Sequence, residues 1–483
     1  MATTGSVVRV GVPGLGIVRR APRLRGELRL PSDKSVAHRA LIANALSDAD
    51  PGEPATVTVR APGDDVLSTV RCLSALGVSM DQTEQADAWS RIAVSGRPRA
   101  SGAETAAAAL DCGNSGTTMR LLAGLLAGLP LRAVLDGDDS LRRRPMDRLA
   151  GPLRAMGATV ETTDGHAPIR ISGRWELLAL EHRLPVASAQ LLGAICLAAL
   201  SAEGETRVMV PGPTRDHTER LLAWMGIPIE RRAAAGSATV TAIRGPARPR
   251  ARSIAVPGDP SAATPWLVAA AIHRDAELRL VDVGLNPTRL VAIDVLREMG
   301  ADIEVLPTVG GRVPEPAEGG DGPGSAEHVD GPEPVGDIVV RSAGRLRAVR
   351  LGGGRVAELV DELPALAVAM AAAEGTSELR DAGELRVKES DRIAAVAAGL
   401  AAIGADVEEL PDGWRVSAGR PREAAIATRG DHRIAIAFAV AAFTGVAGEV
   451  RLDDPGCTSV SYPTFWEDMV RVTGDGGMAA AGS

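Results

Sequence analysis

The strongest constraint in this chain is an alternation of two kinds of helix-forming segment, repeated from end to end. One kind opens on charged residues, places apolar residues at helical spacing and stops at a glycine. DDVLSTVRCLSALG, RPMDRLAGPLRAMGA, RDHTERLLAWMG, NPTRLVAIDVLREMGA and KESDRIAAVAAGLAAIGA close on Gly77, Gly157, Gly226, Gly300 and Gly404, and a weaker sixth starts near Tyr462. These read as amphipathic surface helices. The other kind is apolar on nearly every face: KSVAHRALIANAL, NSGTTMRLLAGLL, SAQLLGAICLAAL, AATPWLVAAAI, DELPALAVAMAAA and HRIAIAFAVAAF, starting near Lys34, Asn114, Ser188, Ala262, Asp361 and His432. A helix apolar all round is buried. Short alternating runs such as ATVTVR, RIAVSG, ATVTAI, ELRLVDV, IVVRS and WRVSAG lie between the helices and read as strands.

The unit is therefore two helices plus strands, recurring roughly every 75 residues, six times. Six buried helices do not make one sensible core, whereas two bundles of three under a skin of sheets do. GELRLPSDKS (26–35) echoes SIAVPGDPSA (253–262), each a strand, a Pro-x-Asp and a buried helix. The expected fold is thus α/β with two lobes of three repeats. One lobe combines residues 1–33 with 254–483, the other spans 34–253, and crossovers near 31–34 and 254–260 leave a site between them. Residues 306–336 are rich in Pro, Gly and acidic residues without apolar periodicity, and read as a flexible surface insertion.

Composition excludes several classes. A net charge of −8 argues against a general nucleic-acid binder, so an anionic ligand must be met by a local cluster of cations. The four cysteines (72, 112, 196 and 457) are widely spaced, with no metal or redox pairing, as in a reduced cytoplasmic protein. The N-terminus has no apolar signal core. Residues 184–200 barely approach the roughly 20 apolar residues that a membrane span needs. Aromatics are only 2% of the chain, so the cores must be filled by Ala, Val, Leu and Ile, which suits close helix packing on small residues.

Polar residues that look out of place gather at helix starts, where free backbone N–H groups and the helix dipole favour anions. Lys34 precedes Ser35 and Arg39, which are four apart and share a face. DCGNSGTTMR brings Gly116 to a turn where backbone can approach a ligand. Ser188 and Gln190 interrupt an apolar helix start, either to hydrogen-bond a ligand or to cap the helix. Arg144 stands before Pro145 at a helix's first turn, and Arg215 before an Asp216–Glu219 capping-box pattern. In RVKESDR, Lys388 and Arg392 are four apart on one expected helical face, with Glu389 beside them. Cations there oppose the helix dipole, and Arg433 repeats the exception. Asp361 and Glu362 head another buried helix, where a carboxylate among cations stays ionised and can act as a base. Taken singly, each fits an ordinary cap or solvated turn; the joint pattern points to an anion site.

PSDKSVAHR, GNSGTTMR, RRRPM, VASAQ, TRDHTER, VPGDPS, NPTR, LRVKESDR and GDHRIAI stand in the order found in 5-enolpyruvylshikimate-3-phosphate synthases, which the chain resembles over nearly its whole length. The resemblance implies an inside-out α/β barrel of two lobes, each with three βαβαββ units. It implies that Lys34, Ser35, Arg39, Ser188, Ala189, Gln190, Arg215, Asp361 and Lys388 bind shikimate-3-phosphate. Lys34, Gly116, Arg144, Gln190, Arg392 and Arg433 would hold phosphoenolpyruvate. Asp361 is then the base, and Glu389 the proton donor with Lys34 its rival. No metal or organic cofactor, no nucleic acid and no membrane is implied, and the expected state is a monomer. Glyphosate occupies the phosphoenolpyruvate pocket in this family, and the resemblance implies that Gly116 would leave room for it. Two positions depart from the family: Val460 and Ser461 stand where many members carry Lys, and Glu384 where many carry Asn. The rivals are the sister enzyme acting on UDP-N-acetylglucosamine, which carries a reactive Cys in the loop that here reads LDGDDSLRRRP, and a non-catalytic relative.

Overall fold

The computed structural model describes residues 16–99, 107–308, 313–315, 327–329 and 331–474. Six helices are buried along most of their length: Lys34–Leu46, Gly116–Ala127, Ala189–Ala199, Pro260–Ile272, Leu363–Ala372 and His432–Thr444. Six more alternate with them and bury one face only: Asp64–Ala75, Asp147–Ala155, His217–Trp224, Val291–Met299, Arg392–Ala402 and Phe465–Thr473. The glycines closing the first five all take positive φ, between 78° and 108°, which stops a helix without a Cβ penalty.

Five sheets share one plan. Ala108–Asp111 pairs in parallel with Arg132–Asp136, which pairs antiparallel with His166–Ser172, and that strand with Thr159–Thr163. The buried helix makes the parallel crossover and a short hairpin supplies the antiparallel pair. The same order recurs with Ala55–Arg60, Ala202–Val210, Ala276–Gly284 and Thr376–Leu379 as second strand. The sixth sheet has three strands, ending with Val450–Leu452 between Ile17–Val18 and Ala424–Ile426. Helices lie inside and sheets outside.

The buried apolar side chains divide into two large clusters. One runs from Val36 to Val256; the other joins Val18–Leu30 to Ala262–Val472. With few aromatics, the helices approach backbone to backbone. A Cβ on Gly124 would stand 2.2 Å from the Ala194 carbonyl oxygen. The chain crosses between the clusters twice, and the two crossings pair: Asp33 N–H donates to Pro257 O at 2.7 Å and Asp259 N–H to Pro31 O at 2.9 Å.

Two boundaries read from sequence need correction. Strand Ile254–Ala255 pairs with Ala55–Arg60, and Ile254 and Val256 pack with the Val36 cluster, so a break at 253/254 falls a few residues early. Periodicity could not see a two-residue strand. The insertion drawn at 306–336 is also too wide. Strands Asp302–Pro307 and Val335–Arg341 take its two ends, Val313–Glu315 pairs with Glu327–Val329, and Glu333 is only 4% exposed. Residues 309–312, 316–326 and 330 lie outside the described residues.

Candidate active site

Five of the six buried helices start from a side-chain cap: Asp33, Ser115, Ser188, Asp259 and Asp431 each accept a backbone N–H from the first turn. The sixth, Leu363–Ala372, has no such bond. Its two preceding carboxylates turn to arginines and a hydroxyl instead: Arg215 donates to Asp361 Oδ2 at 3.1 Å, and Ser261 Oγ donates to Glu362 Oε1.

Around Asp361 the cations converge from both clusters. Arg392 Nη1 is 3.6 Å from Asp361 Oδ1. Arg392 is itself fixed by Asp431, Nε to Oδ2 at 2.9 Å, and by Glu389, Nη2 to Oε2 at 2.7 Å. Arg144 reaches Glu389 Oε1 at 3.2 Å and donates to Asn114 Oδ1 at 2.8 Å. Arg433 donates to the Ser261 carbonyl at 3.0 Å. Lys34 Nζ lies 3.0 Å from Asp65 Oδ2. Arg39 is pinned by Thr218 Oγ1 at 2.7 Å and the Ser35 carbonyl at 2.8 Å. Ser188 caps its helix through Leu191 N–H, Ala189 begins that helix, and the half-buried Gln190 donates to Thr117 Oγ1 at 2.9 Å.

The charge balance follows from this crowding. Burial would raise Asp361, but Arg215, Lys388, Arg433 and Arg392 outweigh it and hold the carboxyl well below its usual range. Glu389 behaves likewise: burial raises it, while Arg392, Arg144, His432 and Lys388 bring it well down. Burial lowers Lys388, against the pull of Asp361 and Glu389, and lowers Arg39 to about 10. Among the cations just described, Arg144 Nε, Arg392 Nη1 and Arg433 Nε are buried without a hydrogen-bond partner among the described residues, as is Arg289 Nε nearby in the chain crossings. Buried donors of this kind call for an acceptor.

Three sequence readings change. Lys388 and Arg392 do not share a helical face. A 3₁₀ turn ends at Val387, Lys388 is extended, and the helix begins at Arg392 with Asp391 as its cap. Helical spacing was assumed across a segment whose Asp caps rather than continues. Asp216 does not form a capping box; its Oδ1 accepts from Asn286 at 2.7 Å and Arg220 at 2.9 Å. Pro145 precedes the cap Met146, so it lies outside the helix's first turn.

Two residues stand at the site without a role expected from the sequence: Arg120, and His432, read there only as the start of a buried helix. Arg120 Nη1 donates to Gln190 Oε1 at 2.7 Å and would be the nearest neighbour of a Cβ on Gly116, at 2.7 Å. Burial, aided by Arg144, lowers it to about 10. Its spacing of four from Gly116 on one helix was the available signal. His432 is buried with both ring nitrogens unpartnered among the described residues, and burial followed by Arg433 and Lys34 brings it down to about 3. Nothing in GDHRIAI marks that ring as different from a core histidine.

The family model for EPSP synthase (3-phosphoshikimate 1-carboxyvinyltransferase) matches residues 18–469. A 3-phosphoshikimate 1-carboxyvinyltransferase of Chloroflexus aurantiacus is 45% identical over 95% of this chain and 99% of its own. One from Salinibacter ruber is 42% identical over 94% and 99%. A solved EPSP synthase of Acinetobacter baumannii superposes with a TM-score of 0.75 at 34% identity, over 94% of this chain and 98% of that one. The enolpyruvyl transferase NikO of Streptomyces tendae shares the fold, with a TM-score of 0.68 at 18% identity over 95% and 98%. With the alternating repeat, the two helix clusters and matches over nearly the whole chain in agreement, the chain belongs to the EPSP synthase family.

Proposed function

We propose that this chain moves the 1-carboxyvinyl group of phosphoenolpyruvate onto the 5-hydroxyl of shikimate-3-phosphate, releasing phosphate, as a step in making aromatic amino acids. The observation that carries the reading is that Arg144, Arg392 and Arg433, gathered with an ionised Asp361, each keep a buried guanidinium nitrogen without a hydrogen-bond partner among the described residues. Phosphate and carboxylate oxygens are the acceptors such donors await.

In this reading Lys34, Ser35, Arg39, Ser188, Ala189, Gln190, Arg215, Asp361 and Lys388 hold shikimate-3-phosphate. Lys34, Gly116, Arg120, Arg144, Gln190, Arg392 and Arg433 hold phosphoenolpyruvate. Asp361 takes the proton of the 5-hydroxyl, whose oxygen attacks C2 of phosphoenolpyruvate while a proton is added at the methylene carbon. Elimination then removes a proton from the new methyl group and expels phosphate. The cations act as preorganised charge in a cleft that lobe closure dries.

Glu389 as donor needs a proton that it does not hold while Arg144 and Arg392 grip it. Phosphoenolpyruvate supplies the remedy. Its oxygens draw both guanidiniums away, the local charge around Glu389 becomes negative, and the carboxyl can take a proton. Lys34, paired with Asp65, is the rival donor. A monomer is the state that the family resemblance implies. No described helix is long and apolar enough to cross a membrane, and the four buried cysteines are free, in keeping with a cytoplasmic enzyme.

The test is phosphate release with phosphoenolpyruvate and either shikimate-3-phosphate or UDP-N-acetylglucosamine, in the parent and in Asp361→Asn. Release with shikimate-3-phosphate alone, lost by at least about 1,000-fold in the variant while that substrate still binds, is the expected result. Release with the sugar nucleotide alone would overturn the reading, and the missing Cys in residues 135–145 argues against it.

A further inference from the structure

The segment NPTR contributes nothing to the substrate contacts assigned above, yet its arginine is among the most buried charges in the molecule. Arg289 is 1% exposed at its side chain, in a 3₁₀ turn Pro287–Arg289 capped by Asn286. Its Nη1 donates to Asp33 Oδ2 at 2.8 Å. Its Nη2 donates to Asp259 Oδ1 at 2.8 Å and to Ser261 Oγ at 2.7 Å.

These partners occupy equivalent places in the two halves. Asp33 caps the helix that begins with Lys34 and Ser35, and Asp259 caps the helix that carries Ser261. Ser261 in turn gives its carbonyl to Arg433 and its hydroxyl proton to Glu362, the neighbour of Asp361. A single guanidinium therefore joins the caps at both chain crossings, and through them it reaches cleft groups of both clusters. The fork geometry of guanidinium suits two separate carboxylates; an ammonium cannot reproduce it.

A third element locks onto the same fork. His217 Nε2 lies 3.3 Å from Arg289 Nη1, and His217 Nδ1 lies 2.7 Å from Glu333 Oε1. Because arginine can only donate, Nε2 is the acceptor toward Arg289 and Nδ1 the donor toward Glu333, which fixes the orientation of the ring. Asn286 donates to the other Glu333 oxygen at 2.8 Å and to Asp216 at 2.7 Å. His217 starts the helix two residues after Arg215, so the network also borders the residue that holds Asp361.

We propose that Arg289 is a positioning residue for the transfer reaction: by holding Asp33 and Asp259 on one guanidinium, it sets the starts of the Lys34 and Pro260 helices relative to each other, and so the spacing of Lys34 and Ser35 from Arg433 across the cleft. The proposal rests on the enolpyruvyl-transfer reading. It touches no substrate, which separates it from the cations already named.

The experiment compares the parent with Arg289→Lys, Asp33→Asn, Asp259→Asn and the Asp33→Asn/Asp259→Asn pair, following kcat, KM for phosphoenolpyruvate, amide hydrogen exchange and thermal stability. A parent that releases no phosphate from shikimate-3-phosphate and phosphoenolpyruvate would sink the functional reading, whatever the variants do. With an active parent, Arg289→Lys is expected to stay folded and lose kcat by about 30-fold or more. KM for phosphoenolpyruvate should rise, and exchange should speed up at Ser35, Val36 and Ser261 with little change elsewhere. If Arg289→Lys fails to fold, the Asn variants decide. Effects on kcat that fall short of additivity in the pair mean that the two caps act through one clamp. A folded Arg289→Lys with lower stability but parental kcat and KM, or fully additive Asn variants, would show an ordinary buried counter-ion and overturn the proposal.

Discussion

Arg144 and Glu389 meet across the cleft, Nη2 to Oε1 at 3.2 Å, so a cation from one helix cluster neutralises a carboxylate carried by the other. Arg215 and Asp361 repeat the arrangement at 3.1 Å. Both pairs set a cation of one cluster against a carboxylate of the other. In the proposed reaction, anionic substrates would replace the carboxylates at the arginines and free them for proton transfer.

Glu389→Gln tests that exchange directly. The amide keeps the hydrogen-bonding shape but cannot give a proton to carbon, so kcat should fall by about 100-fold to 10,000-fold. Shikimate-3-phosphate affinity, read by calorimetry, should change little. A variant with near-parental kcat would assign the donor role to Lys34.

Gly116→Ala probes the phosphoenolpyruvate pocket. A Cβ there would meet Arg120 Nη1 at 2.7 Å and Arg144 Nη1 at 3.1 Å, the far ends of two side chains rather than backbone. The variant should fold normally and bind shikimate-3-phosphate as before, while KM for phosphoenolpyruvate rises several-fold. Glyphosate should inhibit the parent in competition with phosphoenolpyruvate, and the inhibition should weaken in the variant. Unchanged turnover in millimolar glyphosate at limiting phosphoenolpyruvate would remove the parent from the sensitive class.

Gly63→Ala probes closure. Gly63 caps the Asp64–Ala75 helix with φ −73°, a conformation open to any residue, so its own segment tolerates alanine. The added Cβ would stand 2.5 Å from the carbonyl oxygen of Val460, which belongs to the other cluster's part of the chain. The contact exists only while the two clusters are together. The expected result is near-parental thermal stability with kcat reduced about 10-fold, as for hindered closure. Stability lost in step with activity would mean that the contact is an ordinary packing one.

Acid should destabilise the fold before its carboxylates titrate. Burial brings His38 down to about 3, as it does His432, and lowers His182. The unfolded chain binds a proton at His38 and at His432 below about pH 6.5, and the folded chain does not until about pH 3. Stability is therefore complete above 6.5 and falls as pH drops, by up to roughly 1.4 kcal/mol per pH unit for each fully buried ring. Asp361 and Glu389, depressed in the fold, stay ionised in both states until lower pH, and Glu219 and Asp468, raised by burial, offset part of the loss. Urea midpoints at pH 7.5, 6.5 and 5.5 check this. His38→Gln should reduce the slope below 6.5, and a flat profile would contradict the burial argument.

The sequence by itself determined the repeat, the two classes of helix and which residues sit at helix starts. These depend on the spacing of apolar residues and on stop signals within one segment, and such local information survives without a partner. Lys34, Ser35, Arg39 and Gly116 could be placed on their helices because each lies within the first two turns after a capping residue. Tertiary structure alone decided the rest. It moved Ile254–Ala255 into the neighbouring sheet, since a two-residue strand is defined only by the strand it meets. It turned RVKES out of the helix because Asp391 caps there. It brought Glu333, from a stretch that reads as unstructured, onto His217 at 2.7 Å. It set Arg289 between two aspartates that are more than 200 residues apart in the chain. Hydrogen bonds and ion pairs between distant segments leave no period in the sequence, because the geometry that makes them favourable exists only after the helices have packed.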